Sequence, residues 1–328
     1  MEIGKVSNND LNNYVFKNIN KRRNEVLSGP NIGMDTSVLD FNGDLIVLST
    51  DPITGATKDL GKLAIHVSCN DVACECAEPI GVLMTILLPP SATLEELEEI
   101  VKDANTECER LNVEIIGGHT EVTDAVNRIV VATTVIGKVK REHLPQREKI
   151  EVGDVIAISK YVGIEGTSII FNEKYNELNS LFNDEDIKKL KNMSKSFSVL
   201  EEALIAKNYR VKHLHDITEG GIYGAIWETA NAINQKVIVD FESIPVLDFT
   251  KKIADHYNIN LYRLISSGSM IMVVAKDDFI NYKKACEKEN IKITQVGVVE
   301  EGSGAFVKKD NEIHPIEEPG SDELYKVV

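Results

Sequence analysis

Hydrophobic and polar positions along this chain follow two periods, and strand-like and helix-like runs alternate from one end to the other. Behind the polar start Ser7-Asn8-Asn9-Asp10, Leu11, Val15 and Ile19 fall four apart, which predicts a short amphipathic helix over Asn8–Ile19. Two apolar-rich runs, 36–41 and 44–50, are joined by Asn42-Gly43, a two-residue hairpin signal. The run 60–77 predicts a helix whose small and thiol residues (Ala64, Ser68, Ala73, Cys76, Ala77) permit close packing, with Pro79 ending it. A buried strand over 81–88 follows. Thr93-Leu94-Glu95-Glu96 then supplies a capping box for a helix reaching Leu111. Strands rich in β-branched residues are expected at 113–116 and 129–139.

Between Arg141 and Gly153 the chain turns polar, with Pro145 and Gly153 as punctuation, and the expected domain boundary lies there, dividing 1–148 from 149–328. The second half repeats the mixture. Strands are expected at 155–159, 211–215, 237–241, 270–275 and 292–299. Helices are expected from Glu165, within 184–208, and at 220–233 and 277–289. The expected class is α/β (α+β) in two domains.

Composition narrows the function. The 328 residues carry 36 Lys+Arg against 52 Asp+Glu, a formal charge of −16, with 43% hydrophobic and 27% charged residues. That is the profile of a folded globular chain. The longest basic run is Lys21-Arg22-Arg23, too little for a counterion-displacing stripe, so no nucleic acid is expected as a partner. The longest apolar stretch, Pro79 to Pro90, is shorter than the roughly 20 residues a spanning helix needs. With no basic-then-apolar leader at Met1, a cytoplasmic protein off the membrane is expected. The odd set Cys69, Cys74, Cys76, Cys108 and Cys286 sits in apolar segments and suits reduced packing thiols.

Neither common phosphate loop, G-x-x-x-x-G-K-[ST] or G-x-G-x-x-G, occurs. Acidic or polar residues do recur at strand ends and beside glycines: Gly33-Met34-Asp35, Ser49-Thr50-Asp51, Asn70-Asp71, Gly117-Gly118-His119-Thr120-Glu121 and His215-Asp216-Ile217-Thr218-Glu219-Gly220-Gly221. In the last, an apolar strand ends at Asp216, Thr218 is placed to cap the next helix, and Gly220-Gly221 leave its N-terminus open to a phosphate. Asp35, Asp51 and Asp71 could hold Mg²⁺, which takes one or two carboxylates together with phosphate oxygens and water. Each motif alone reads better as a capped turn. His213 and His215 alternate along one strand and could form a metal pair, but lacking a third ligand they read better as core or cleft histidines, with His215 the one nearer the cleft. Trp227 reads as core.

Together, in order and spacing, the motifs resemble the AIR synthase-related superfamily, which includes the PurM, HypE, ThiL and SelD enzymes. Gly33-Met34-Asp35-Thr36-Ser37-Val38 is similar to G-x-D-D-[AS]-[AS]-V, and Ser49-Thr50-Asp51-Pro52 to the T-T-D element. The stretch from Asn70-Asp71 to Pro79 resembles N-D-[IL]-A-x-x-G-A-x-P. Gly117-Gly118-His119-Thr120 is similar to G-G-[DE]-T, Asp216–Gly221 to D-x-T-x-G-G, and Ser266-Ser267-Gly268-Ser269 to a late S-S-G-[ST] turn. Within the superfamily the look is nearest to HypE, although no C-terminal cysteine follows Cys286 to act as a HypE-type carrier.

The resemblance implies a PurM-like two-domain chain, its N-terminal half pairing with a second copy into a dimeric β-barrel and its C-terminal half an α/β sandwich. It implies ATP at Asp35, Asp51, Asn70, Asp71, Gly117, Gly118, His119, Thr120, Thr218, Gly220 and Gly221. Mg²⁺ is implied at Asp35, Asp51, Asp71 and Asp216, with His119 and Asp216 in catalysis. The implied reaction is phosphoryl transfer to an amide, carboxamide or phosphate substrate. The alternative is a non-catalytic nucleotide-binding maturation or regulatory partner protein. His119 stands where the family has a carboxylate, so either one metal site is altered, or the imidazole contacts a phosphate or moves a proton. Met34 replaces one of two aspartates, and Cys76 replaces a glycine.

Overall fold

The computed structural model describes residues 26–28, 32, 36–41, 43–54 and 58–328. The predicted helix Asn8–Ile19, the residues Gly33, Met34 and Asp35, and Asn42 of the hairpin signal lie outside the described residues.

The N-terminal sheet has six strands. They are β1 (Val26–Ser28), β2 (Ser37–Phe41), β3 (Asp44–Ile53), β4 (Glu78–Leu88), β5 (Glu114–Val122) and β6 (Val130–Lys140), in the spatial order β1-β2-β3-β6-β4-β5. β3 and β6 pair antiparallel over ten residues, Asp44↔Lys140 to Ile53↔Val131, and form the sheet's middle. Helix α1 (Leu60–Ala73) covers the sheet and is buried along nearly its whole length. Its uniformly apolar, small-residue sequence therefore reads as a core helix rather than an amphipathic one. α2 (Leu94–Leu111) packs outside it through Ile100, Ala104 and Cys108. The Thr93/Glu96 capping box forms as expected.

Two expectations are corrected here. The α1 helix stops at Ala73, because Cys76 turns left-handed (φ 53°) and Pro79 enters β4 through a bulge instead of following a longer helix. The strand predicted to end at Ile116 continues to Val122, so Gly117-Gly118-His119-Thr120 lies within β5 and not in a loop after it.

The second sheet runs β13-β12-β9-β11-β7-β10-β8. Its strands are β7 (Val155–Ser159), β8 (Val211–Asp216), β9 (Lys236–Asp240), β10 (Met270–Val274), β11 (Ile293–Glu300), β12 (Gly304–Lys309) and β13 (Glu312–Pro315). β7 and β10 are wholly buried because alternate residues enter two different cores. Ala157 and Met272 face one cluster, and Ile156 and Ile271 face the other. Such double burial explains their unbroken apolar runs. The helices are α3 (Ile164–Glu173), α4 (Tyr175–Leu178), α5 (Asp184–Lys191), α6 (Leu200–Ala206), α7 (Gly221–Ile233), α8 (Asp248–Tyr257) and α9 (Phe279–Lys288). Helix α8 and the β12–β13 hairpin were not legible as elements in the sequence.

The halves share a core: Leu63 and Val72 of α1 belong to one apolar cluster with Ile164, Phe171 and Phe197. Asn70 ties them further. Its amide donates to Phe197 O (2.8 Å), and its carbonyl accepts from Val199 N (2.9 Å). All five cysteines are buried, and burial pushes the Cys76 thiol up to about 12. Among the described residues no helix is long and apolar enough to cross a membrane.

Candidate active site

The second half of β3 and the last turn of α1 bring Ser49, Asp51 and Asp71 together. Ser49 Oγ donates to Asp71 Oδ2 at 2.5 Å and lies 3.5 Å from Asp51 Oδ2. Asp71 is 3% exposed, while Asp51 is half-buried. Both open onto a cavity of about 910 Å³ between the two halves, which is in the size range of small-molecule sites. The N-terminal side of that cavity is completed by Asp124 and Arg128, whose Nη1 donates to Thr54 O at 3.2 Å.

The opposite wall comes from the second half. Thr218 and Glu219 arrive from the turn after β8, Glu165 from the first turn of α3, Ser267 from the turn before β10, and Asp322 and Tyr325 from the C-terminal segment. Glu165 Oε2 accepts the backbone N–H of Ser267 at 3.1 Å, and burial raises its carboxyl to about 7. Tyr325 donates to Glu219 Oε1 at 2.6 Å, and burial raises the phenol above its ordinary value. Asp322 Oδ2 accepts from Gly220 N (2.8 Å), and its Oδ1 accepts from Leu324 N (2.8 Å) and Ile265 N (3.2 Å). Burial raises Asp322 to about 6 despite those three donors.

The predicted site residues divide accordingly. Asp51, Asp71 and Thr218 line the cavity. Gly220 and Gly221 do open α7, but no side chain caps it: Asp322 accepts the N–H of Gly220, the residue before the helix, and the Gly221 N–H goes to Thr218 O at 3.1 Å. A Cβ on Gly221 would lie 2.8 Å from Leu264 N and O and from Tyr262 O, so that glycine serves packing within the protein. Asn70 is wholly buried with its amide committed to the interface between halves, not to the cavity.

Asp216 is 1% exposed at the end of β8, 3.9 Å from the Cys74 thiol that donates to it, and is not among the cavity's lining residues. His215 does not reach the cleft either. It pairs with Glu228 at 2.9 Å, and its ring stacks on His213, which accepts from Arg147 Nε at 3.0 Å. The strand β5 places Gly117, Gly118, His119 and Thr120 on an exposed edge, where His119 meets Glu121 at 3.3 Å. Gly118 is explained by the sheet: a Cβ there would sit 1.8 Å from Met84 O of β4.

Sequence reasoning missed Arg128, Glu165, Asp322 and Tyr325, because none sits in a phosphate-type motif, and it passed over Glu219, which lies inside the Asp216–Gly221 motif but was given no role. Only the position of Glu165 between Gly163 and Gly166 offered a hint.

Two family descriptions match the chain: "AIR synthase related protein, N-terminal domain" over residues 33–139 and "AIR synthase related protein, C-terminal domain" over 151–310, together most of its length. The chain belongs to the AIR synthase related family. It is 26% identical over 285 residues to a hydrogenase expression/formation protein of Methanocaldococcus jannaschii, covering 84% of this chain and 81% of that one. Its fold is that of E. coli HypE, a hydrogenase maturation protein, with a TM-score of 0.76 at 19% identity over 90% of this chain and 93% of HypE. ThiL complexed with AMPPCP and TMP is equally similar, with a TM-score of 0.76 and 19% identity over 98% of both chains. The α/β (α+β) PurM-like class and the likeness to HypE expected from the sequence hold.

Proposed function

We propose that the cavity between the halves binds ATP with Mg²⁺ and that the chain is a HypE-like enzyme transferring a phosphoryl group to an amide, carboxamide or phosphate substrate. The observation that carries this reading is the meeting of Asp51 and Asp71 with Thr218 around one cavity, from motifs about 150 residues apart. The AMPPCP held by the similarly folded ThiL supports a nucleotide here.

The donor set fits a hard cation. Among the described residues the lining holds Asp51, Asp71, Asp124, Glu165, Glu219 and Asp322 against Arg128 alone, so triphosphate would need metal to enter. Among the described residues no three His, Cys, Asp or Glu form a metal cage, which suits Mg²⁺ shared between one or two carboxylates and phosphate oxygens. When bound, Mg²⁺ would neutralise phosphate charge during transfer. Ser49 holds the Asp71 carboxylate in one orientation, Arg128 supplies fixed positive charge, and the shared core of the halves keeps the two walls in register.

We also infer a homodimer. Among the described residues β5 is an unpaired edge, and Ile80, Leu83, Ile116 and Val122 leave apolar area exposed on β4 and β5. A second copy there would cover that area and bring Gly117–Thr120 into an interface. A maturation partner is the further expectation. The negative Asp322 carboxylate bound to Gly220 N, beside the start of α7, favours the second reading, a nucleotide-binding partner protein without turnover.

The test is calorimetric titration with AMPPCP, with and without Mg²⁺. Metal-dependent binding weakened at least about tenfold by Asp71→Asn is expected. Wild-type binding that ignores Mg²⁺, or none, sinks the ATP site. Turnover with candidate acceptors separates the two readings, and a monomer by light scattering sinks the dimer.

A further inference from the structure

We propose that a second cavity, where the linker between the halves meets the second half, binds a small oxyanion of the phosphate class. It shares no lining residue with the cavity proposed for ATP.

This cavity has a volume of about 150 Å³ and is walled by two stretches of chain. Gln146 and Lys149 come from the polar linker. Lys207, Tyr209, Arg210 and Lys212 come from the turn after α6 and the start of β8. The cavity proposed for ATP lies beyond the other end of β8, whose 6 residues span about 20 Å.

The charge of this wall runs against that of the chain. The whole sequence carries 36 Lys+Arg against 52 Asp+Glu, yet among the described residues the lining holds Lys149, Lys207, Arg210 and Lys212 against Glu142 alone. Two of the four cations are committed to the protein. Lys212, 7% exposed, donates to Asp154 Oδ2 at 2.7 Å, and Arg210 Nη2 meets Asp277 Oδ1 at 2.6 Å. The next acid along, Glu151, stands 3.7 Å from Lys212 Nζ, beyond hydrogen-bond reach, so this buried ammonium keeps donors to spare. Lys149 and Lys207 have no carboxylate partner among the described residues.

Cations gathered round so small a space repel one another, and an anion relieves that cost. A second cation would add to it, and an apolar group would leave the donors of the lysines, Gln146 and Tyr209 unmet. The volume is about half the lower end of the range for drug-sized ligands, so it suits one phosphate group and not a nucleotide. A phosphate held by Lys149 and Lys207 would tie the linker to the second half.

The test is calorimetric titration of the full chain with inorganic phosphate, at fixed ionic strength and without Mg²⁺, with glycerol 2-phosphate and acetate as further arms. Saturable phosphate binding is expected, at least about tenfold weaker in Lys207→Gln and in Lys149→Gln and retained in Lys207→Arg. Tighter binding of glycerol 2-phosphate also supports the site and makes its source a phosphate carried on a larger molecule. Both lysines are exposed, so thermal melting and Mg²⁺-dependent AMPPCP affinity of the variants should match the wild type. No binding of either phosphate, equal binding by the wild type and both Gln variants, acetate bound as tightly as phosphate, or loss of phosphate binding in Asp71→Asn overturns the site.

Discussion

The Asp322 carboxylate accepts the backbone N–H of Gly220 at 2.8 Å, so the residue leading into α7 is held by the C-terminal segment. The same carboxylate serves Ile265 and Leu324, and thereby pins three separate stretches of backbone to one side chain. Removing it leaves buried N–H groups without partners, and Asp322→Ala should cost about 2–4 kcal/mol. Urea unfolding measures this, and a loss below about 0.5 kcal/mol, the range of ordinary surface substitutions, would show that water replaces the carboxylate.

Asn70 predicts the opposite balance of stability and binding from Asp71. Asn70→Ala breaks two buried hydrogen bonds between the halves and should lower stability by about 2–3 kcal/mol. Its AMPPCP affinity, measured well below the melting temperature, should stay near the wild-type value. A tenfold loss of affinity in a folded Asn70→Ala protein would return Asn70 to the nucleotide site.

Glu165 sets a pH dependence whose sign follows from its raised value. The folded protein holds this proton to about 7, whereas the ordinary value is 4.5, so the folded state binds more protons between them. The group's favourable contribution is complete below pH 4.5 and is lost as pH rises through about 7. Glu165→Gln should therefore match wild type near pH 4.5 and exceed it by about 3 kcal/mol at pH 8. Parallel denaturant curves at the two pH values check this, and an equal difference at both contradicts it.

On β5, neighbouring residues should respond differently. Gly118→Ala drives a Cβ into Met84 O and should cost about 1–3 kcal/mol by forcing the strand outward. His119→Asp changes an exposed side chain and should alter stability by less than about 0.5 kcal/mol. Thermal melts of the two variants would expose an error in the strand assignment if His119→Asp were the more damaging.

The sequence by itself determined the alternating elements and the family. These are local or short-period properties: apolar spacing, a capping box and polar residues at strand ends carry them without reference to distant parts of the chain. It could not tell a glycine that admits a phosphate from one that admits a neighbouring backbone, as at Gly118 and Gly221, because both need only a missing Cβ. Nor could it show that Asn70, Asp216 and His215 point into packed interior while Glu165, Asp322 and Tyr325 face the cavity. Asp322 lies 102 residues beyond the Gly220 N–H it accepts, and Asn70 lies 127 residues before the carbonyl it binds. Only the tertiary structure decided those partnerships, because a buried polar group takes whichever partner packing brings within hydrogen-bond reach.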